Sequence, residues 1–151
     1  MKRERQTQTH YGEGMPITKG YKQLVAEAEA KIVTRSVAEA QAMLGTENIV
    51  FVDLRDPREL EREGMVPDAL SVTRGMIEFW VDPESPYYKP IFGDESKHFV
   101  LYCGGGWRSA LAAVSLQEMG LTNVSHVDGG FAAWKAAGAP VVAKPERPAK
   151  G

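Results

Sequence analysis

Two short runs, Ile49-Val50-Phe51-Val52 and Phe99-Val100-Leu101-Tyr102, are apolar at every position. A strand with one wet face alternates apolar and polar residues. A run apolar on both faces belongs in the middle of a parallel sheet that helices cover on both sides. Patterns of helical period surround these runs. Ser36 is placed to cap a helix that turns Val37, Ala40 and Leu44 inward and closes at Gly45. Asp56-Pro57 opens a short charged helix over about 57–63, ended by Gly64. A third pattern, over about 107–119, carries Ala110, Leu111, Ala113, Val114, Leu116 and Met119. It is apolar nearly all round, so its helix is expected to be largely buried. Strands alternating with helices predict an α/β fold: a mostly parallel central sheet of about five strands with helices on both faces.

The remaining elements are fainter. Thr18 is a candidate cap for a helix over about 19–30, with Tyr21, Leu24, Val25 and Ala28 on one face. Short strands are expected at Ile32-Val33, Ala69–Val72 and Asn123–Val127, and a helical turn at Met76–Trp80. Asp82-Pro83-Glu84-Ser85-Pro86 is a loop, and a last helix over 131–137 follows Gly129-Gly130 and stops at Gly138 and Pro140. Residues 1–15 show no apolar periodicity and are expected to form a loose extension. A single domain is expected over 16–142, and a flexible tail over 143–151.

Composition narrows the function. A chain of 151 residues fits one domain with a single core. A net charge of −2 supplies no positive field for nucleic acid. No apolar run reaches the 18 or more residues that cross a bilayer. The basic N-terminus leads into polar residues, without the apolar core of a secretory signal. The chain has one cysteine, so it forms no internal disulfide, and the cytoplasm is the expected compartment.

That cysteine lies where the second apolar run ends, in Cys103-Gly104-Gly105-Gly106-Trp107-Arg108-Ser109. A strand turning sharply into a helix aims the N–H groups of the turn, and the positive helix end, at one point. A cysteine there is expected as a thiolate, because the amides stabilise the anion. Three glycines let the backbone curl around the sulfur without a Cβ clash. The cysteine also sits beyond the carboxyl end of a strand, where parallel sheets bind ligands. The arrangement reads as a nucleophile's cradle. With no second thiol to resolve it, a group loaded on Cys103 must leave to an external acceptor.

Three segments together resemble the rhodanese (sulfurtransferase) superfamily over about Ile32 to Val141. Asp53-Leu54-Arg55 followed by Glu59 is similar to its first signature, Cys103–Ser109 to its Cys-x-x-Gly-x-Arg-Ser loop, and Gly129-Gly130-Phe131-Ala132-Ala133-Trp134 to its closing Gly-Gly-x-x-x-Trp. The resemblance implies transfer of a sulfane sulfur, from a donor such as thiosulfate to a thiol or cyanide, through a Cys103 persulfide. It implies no cofactor or metal; His10, His98 and His126 have no second histidine at ligand spacing and are expected to be structural or exposed. Related phosphatases have one more residue between cysteine and arginine, so the shorter spacing here implies sulfur chemistry. A persulfide carrier or regulatory binding module serving a protein partner is the alternative, with the N-terminal extension and the 82–97 loop as docking candidates.

Within this frame the amides of Gly104, Gly105, Gly106, Trp107, Arg108 and Ser109 are expected to bind the thiolate and the persulfide sulfur. Arg108 either attracts an anionic donor or forms a salt bridge at the helix start. Arg74, after the third strand, is a candidate substrate contact. Trp107 either walls the pocket or packs under its helix. Arg55 and Glu59 are expected to form a structural ion pair, with Asp53 capping nearby backbone and Trp134 in the core. Where the family often has Gly-His-Ile-Pro-Gly-Ala, this chain has Gly64-Met65-Val66-Pro67-Asp68-Ala69, which implies altered packing. Gly104 stands where thiosulfate-using relatives often carry a basic residue, which weakens thiosulfate as the physiological donor.

Overall fold

In a computed structural model that describes residues 11–146, helices and strands alternate along the chain. They are α1 (Tyr21–Glu29), β1 (Val33–Arg35), α2 (Val37–Met43), β2 (Ile49–Asp53), α3 (Pro57–Glu63), β3 (Leu70–Ser71), α4 (Ile77–Val81), β4 (His98–Tyr102), α5 (Trp107–Glu118), β5 (Val124–Val127) and α6 (Gly130–Ala136). Short 3-10 turns occupy Arg74–Met76 and Pro90–Gly93. The five strands pair in parallel in the order β1-β5-β4-β2-β3. The two doubly apolar runs are thus central neighbours, in register from Ile49↔His98 to Asp53↔Tyr102.

Alternation along the strands sorts the core into layers. Val52, Leu54, Phe99, Leu101, Cys103 and Val124 pack with Ile77 of α4 and with Ala112, Ala113 and Leu116 of α5. Helix α1 covers α5 through Val25, Ala28 and Ala110. On the opposite face Phe51, Val100, Tyr102 and Val127 meet Ala40 of α2 and Phe131 and Trp134 of α6. Trp134 is core, as expected, and its Nε1–H donates to Pro140 O at 2.7 Å. No helix among the described residues is long and apolar enough to cross a membrane.

The helix starts follow their caps. Ser36 and Asp56 each form a reciprocal capping box with the glutamate three residues on, Glu39 and Glu59. Thr18 is not a cap: α1 begins after Gly20, which makes no side-chain cap bond, with the Tyr11 ring lying against Gly20. The first strand is Val33–Arg35, so Ile32 precedes it and packs into the core instead. Met65 is buried and exchanges backbone hydrogen bonds with Val142 at 2.8 and 2.9 Å. Asp68 sits at φ 62°, a left-handed conformation that glycine adopts without strain. Residues 1–10 and 147–151, the outer parts of the expected extension and tail, lie outside the described residues.

The expected Arg55–Glu59 pair does not form. Arg55 is 1% exposed and turns back onto Asp53, with Nη2 2.7 Å from Oδ2 and Nε 3.0 Å from Oδ1. Asp53 also accepts the Arg55 backbone N–H at 3.0 Å, the backbone capping anticipated for it. A second Nη2 bond reaches Gly64 O at 2.8 Å, and the guanidinium carbon lies 4.1 Å from the Phe131 ring centre. Glu59 is drawn across the sheet instead. Truncating Asp53 would leave a buried guanidinium without its anion, which costs about 3–5 kcal/mol. Chemical denaturation of Asp53→Ala is expected to show a loss of that size; a loss under about 1 kcal/mol would contradict a fully buried pair.

Candidate active site

Helix α3 leaves β2 toward β3 while α5 leaves β4 toward β5, so adjacent central strands send their connections to opposite sides. The carboxyl ends of such strands frame a crevice. Cys103 is the first residue beyond β4, 1% exposed, at the floor of its loop. Gly106 caps α5 with φ 102°, a left-handed turn that starts the helix directly over the sulfur. Its N–H donates to Cys103 Sγ at 3.1 Å, and the Ser109 N–H donates at 3.4 Å. Ser109 Oγ stands 3.6 Å from the same sulfur. Of the six amides expected to bind the sulfur, those of Gly106 and Ser109 donate to it.

What holds those donors inward is the start of α6. Phe131 N–H donates to Cys103 O at 2.7 Å and Ala132 N–H to Gly104 O at 3.0 Å, so the loop carbonyls face away from the sulfur. The approach demands glycine: a Cβ on Gly130 would lie 2.6 Å from Cys103 O and 2.8 Å from Gly104 O, and φ there is 61°. The Gly129-Gly130 pair is therefore part of the site, a role the sequence reading did not give it.

The arginines are paired. Arg108 makes a bidentate bridge to Glu59, Nη1–Oε1 2.8 Å and Nη2–Oε2 3.1 Å. The hydrogen bond to Arg108 is the main cause holding the Glu59 carboxyl below its usual range. This is the salt bridge weighed for Arg108 from the sequence, and it leaves the guanidinium charge matched beside Gly104. Arg74 pairs with Glu78 at 3.0 Å, and Ser115 Oγ donates to the same carboxylate at 2.7 Å. Trp107 is 57% exposed and does not pack under its helix; its ring tilts against Tyr21 with centroids 4.7 Å apart.

His126, expected to be structural or exposed, is structural and stands nearer the thiol than the sequence reading placed it. His126 is 0% exposed and bonded on both nitrogens, Nδ1 to Ser109 Oγ at 2.9 Å and Nε2 to Thr34 Oγ1 at 3.1 Å. The available signal was a polar Ser125-His126 pair inside a strand of otherwise apolar residues. His98 bonds Ser125 Oγ at 2.9 Å, and His10 lies outside the described residues.

The Rhodanese-like domain family matches residues 36–137 of the chain. A sulfurtransferase from Allochromatium vinosum is 34% identical over 104 residues, covering 69% of this chain and 88% of that protein. A thiosulfate sulfurtransferase from Pseudoalteromonas translucida is 31% identical over 102 residues, covering 68% and 88%. Among solved structures, a protein of unknown function from Rhodopseudomonas palustris, described as a possible tyrosine phosphatase, shares 53% identity with a TM-score of 0.81. That match covers 87% of this chain and 100% of the other.

Two consequences of the geometry can be measured. Gly130→Ala forces α6 off the loop carbonyls, so the variant is expected to melt several degrees lower and to alkylate more slowly at Cys103; wild-type values for both would contradict the contact. Burial pushes both His98 and His126 below their ordinary value. Below about pH 6.5 the unfolded chain therefore takes up protons that the folded imidazoles do not, and stability falls on acidification through that window. Thermal melts are expected to drop between about pH 7 and pH 5.5, and a flat profile would contradict buried neutral imidazoles.

Proposed function

The chain belongs to the rhodanese-like domain family, and on that premise we propose that it is a sulfurtransferase carrying sulfane sulfur on Cys103. The observation that carries the reading is the pair of N–H donors, from Gly106 and Ser109, converging on the only thiol in the chain. The Cys103 thiolate attacks the outer sulfur of a donor such as thiosulfate; the donor S–S bond breaks and sulfite leaves with the electron pair. Cys103 then carries a persulfide, whose terminal sulfur faces the same donors. Cyanide, or a thiolate in the cell, attacks that sulfur and releases the Cys103 thiolate. Splitting one transfer into two displacements gives ping-pong kinetics.

Four residues separate Cys103 from Arg108, and Arg108 is committed to Glu59. The short spacing favours a single sulfur atom over a tetrahedral phosphate, and Glu59 already engages both terminal nitrogens of Arg108. A thiol that must be reduced at the start of each cycle suits a reducing compartment such as the cytoplasm. Service to a protein acceptor, as persulfide carrier or regulatory module, is a second reading; the exposed Trp107–Tyr21 pair favours it.

Cys103→Ser is expected to abolish thiosulfate:cyanide sulfur transfer while melting within a few degrees of wild type. Substantial transfer by that variant would refute the reading. With Arg108 and Arg74 both paired, thiosulfate is expected to bind weakly. Gly104 lacks a left-handed φ, and a Cβ there would meet the Arg108 Nη2 end at 3.0 Å and Glu59 Oε2 at 3.7 Å. Gly104→Arg thus adds a second cation beside Glu59 and Arg108, giving the site net positive charge, and is expected to lower KM for thiosulfate by about tenfold. An unchanged KM in a variant that still loads sulfur would show that charge does not limit donor capture.

A further inference from the structure

An unbroken line of polar side chains runs from the thiol to the surface. Cys103 Sγ lies 3.6 Å from Ser109 Oγ, which lies 2.9 Å from His126 Nδ1. His126 Nε2 in turn lies 3.1 Å from Thr34 Oγ1 and 3.7 Å from Glu29 Oε2. Each link comes from a different element: the loop after β4, then α5, β5, β1 and α1. Thr34 and His126 are register partners, so their side chains share the face of the sheet that α1 and α5 cover. Ser109 and His126 are both 0% exposed. A valine would fill such a strand position without a desolvation penalty; an imidazole is tolerated because both nitrogens are bonded.

Counting protons gives the line a direction. The Glu29 carboxylate can only accept, which favours the tautomer with the proton on Nε2. Nδ1 is then an acceptor and takes the Ser109 hydroxyl proton at 2.9 Å, the shorter of the two contacts open to that proton, the other being Gly106 O at 3.3 Å. That leaves Ser109 Oγ with lone pairs toward Cys103, whose S–H donates to it. We propose that this line is a proton relay, in which the Cys103 proton passes to Ser109 Oγ as the Ser109 hydroxyl proton passes to His126 Nδ1. One S–H bond breaks, one N–H bond forms, and Ser109 ends as a hydroxyl again. The thiolate so formed accepts from Gly106 N–H, Ser109 N–H and Ser109 O–H. The imidazolium keeps its Nε2–H toward Thr34 and Glu29.

The relay deepens the sulfur-transfer reading and rests on it: it supplies the thiolate without releasing a proton to solvent. Burial is the main influence on His126 and pushes it below its ordinary value, which favours the neutral ring that can accept a proton; the Asp128 charge acts in the opposite sense. The charged and titratable groups facing the ring are Glu29 from α1, Asp128 after β5 and Cys103 through Ser109. Arg35 and His98 lie with Ser125 on the other face of the sheet.

Iodoacetamide alkylation of Cys103 followed against pH tests the relay without any sulfur donor. His126→Gln keeps a hydrogen-bond acceptor for Ser109 but takes no proton, and Ser109→Ala cuts the line while leaving His126 in place. Near pH 6.5 both variants are expected to alkylate at least about tenfold more slowly than wild type, and to approach it near pH 9. Profiles that superpose on wild type would overturn the relay. Reciprocity supplies a readout that does not require either variant to fold. In Cys103→Ala, nitrogen NMR of the His126 ring is expected to show its titration moved to lower pH, and an unmoved titration would overturn the relay. Sulfur uptake by wild type is measured alongside: a protein that takes up no sulfur yet shows these shifts contradicts the transferase reading and retains the relay.

Discussion

Once the N–H groups of Phe131 and Ala132 take the carbonyl oxygens of Cys103 and Gly104, the peptide groups of the loop can face only one way. The carbonyls point to α6, and the N–H groups of Gly106 and Ser109 are left for the sulfur. Preorganised donors of this kind stabilise charge without reorganising when it appears. The rest of the molecule serves that contact. Strand β4 delivers Cys103 from the centre of the sheet, β5 delivers α6 beside it, and Gly130 removes the side chain that would hold the two apart.

Two ion pairs frame the crevice and do different work. Asp53–Arg55 is buried and braces the turn after β2 against Gly64 and Phe131. Glu59–Arg108 is half-exposed and ties α3 to the start of α5, one element from each side of the crevice. Surface exposure limits the strength of the second pair to about 1 kcal/mol or less. Among the described residues it also matches the Arg108 charge that stands beside Gly104. Among the described residues the site thus offers converging N–H donors and a matched cation, a balance that supports the proposed sulfur chemistry.

The fold was legible where local physics decided it. The doubly apolar runs became β2 and β4, and Asp56-Pro57 and Gly64 bounded α3 at Pro57–Glu63 as read. The Cys103 loop was legible for the same reason, since a strand, a glycine turn and a helix start lie in contiguous sequence. What failed depends on contacts between distant segments. Arg55 and Glu59 are four residues apart on paper, yet the turn after β2 sends one into the core and the other to Arg108. Gly20 rather than Thr18 precedes α1, where the Tyr11 ring closes over the backbone. His126 was judged by its distance in sequence from other histidines. Its partners, Thr34 and Ser109, are brought to it by β-pairing and by the packing of α5.

The central claim is that Cys103 carries the transferred sulfur. Mass spectrometry of the intact protein after incubation with thiosulfate tests it directly. The account predicts a gain of one sulfur atom, located on the peptide containing Cys103 and removed by cyanide. No gain, or a gain located on another residue, would contradict it.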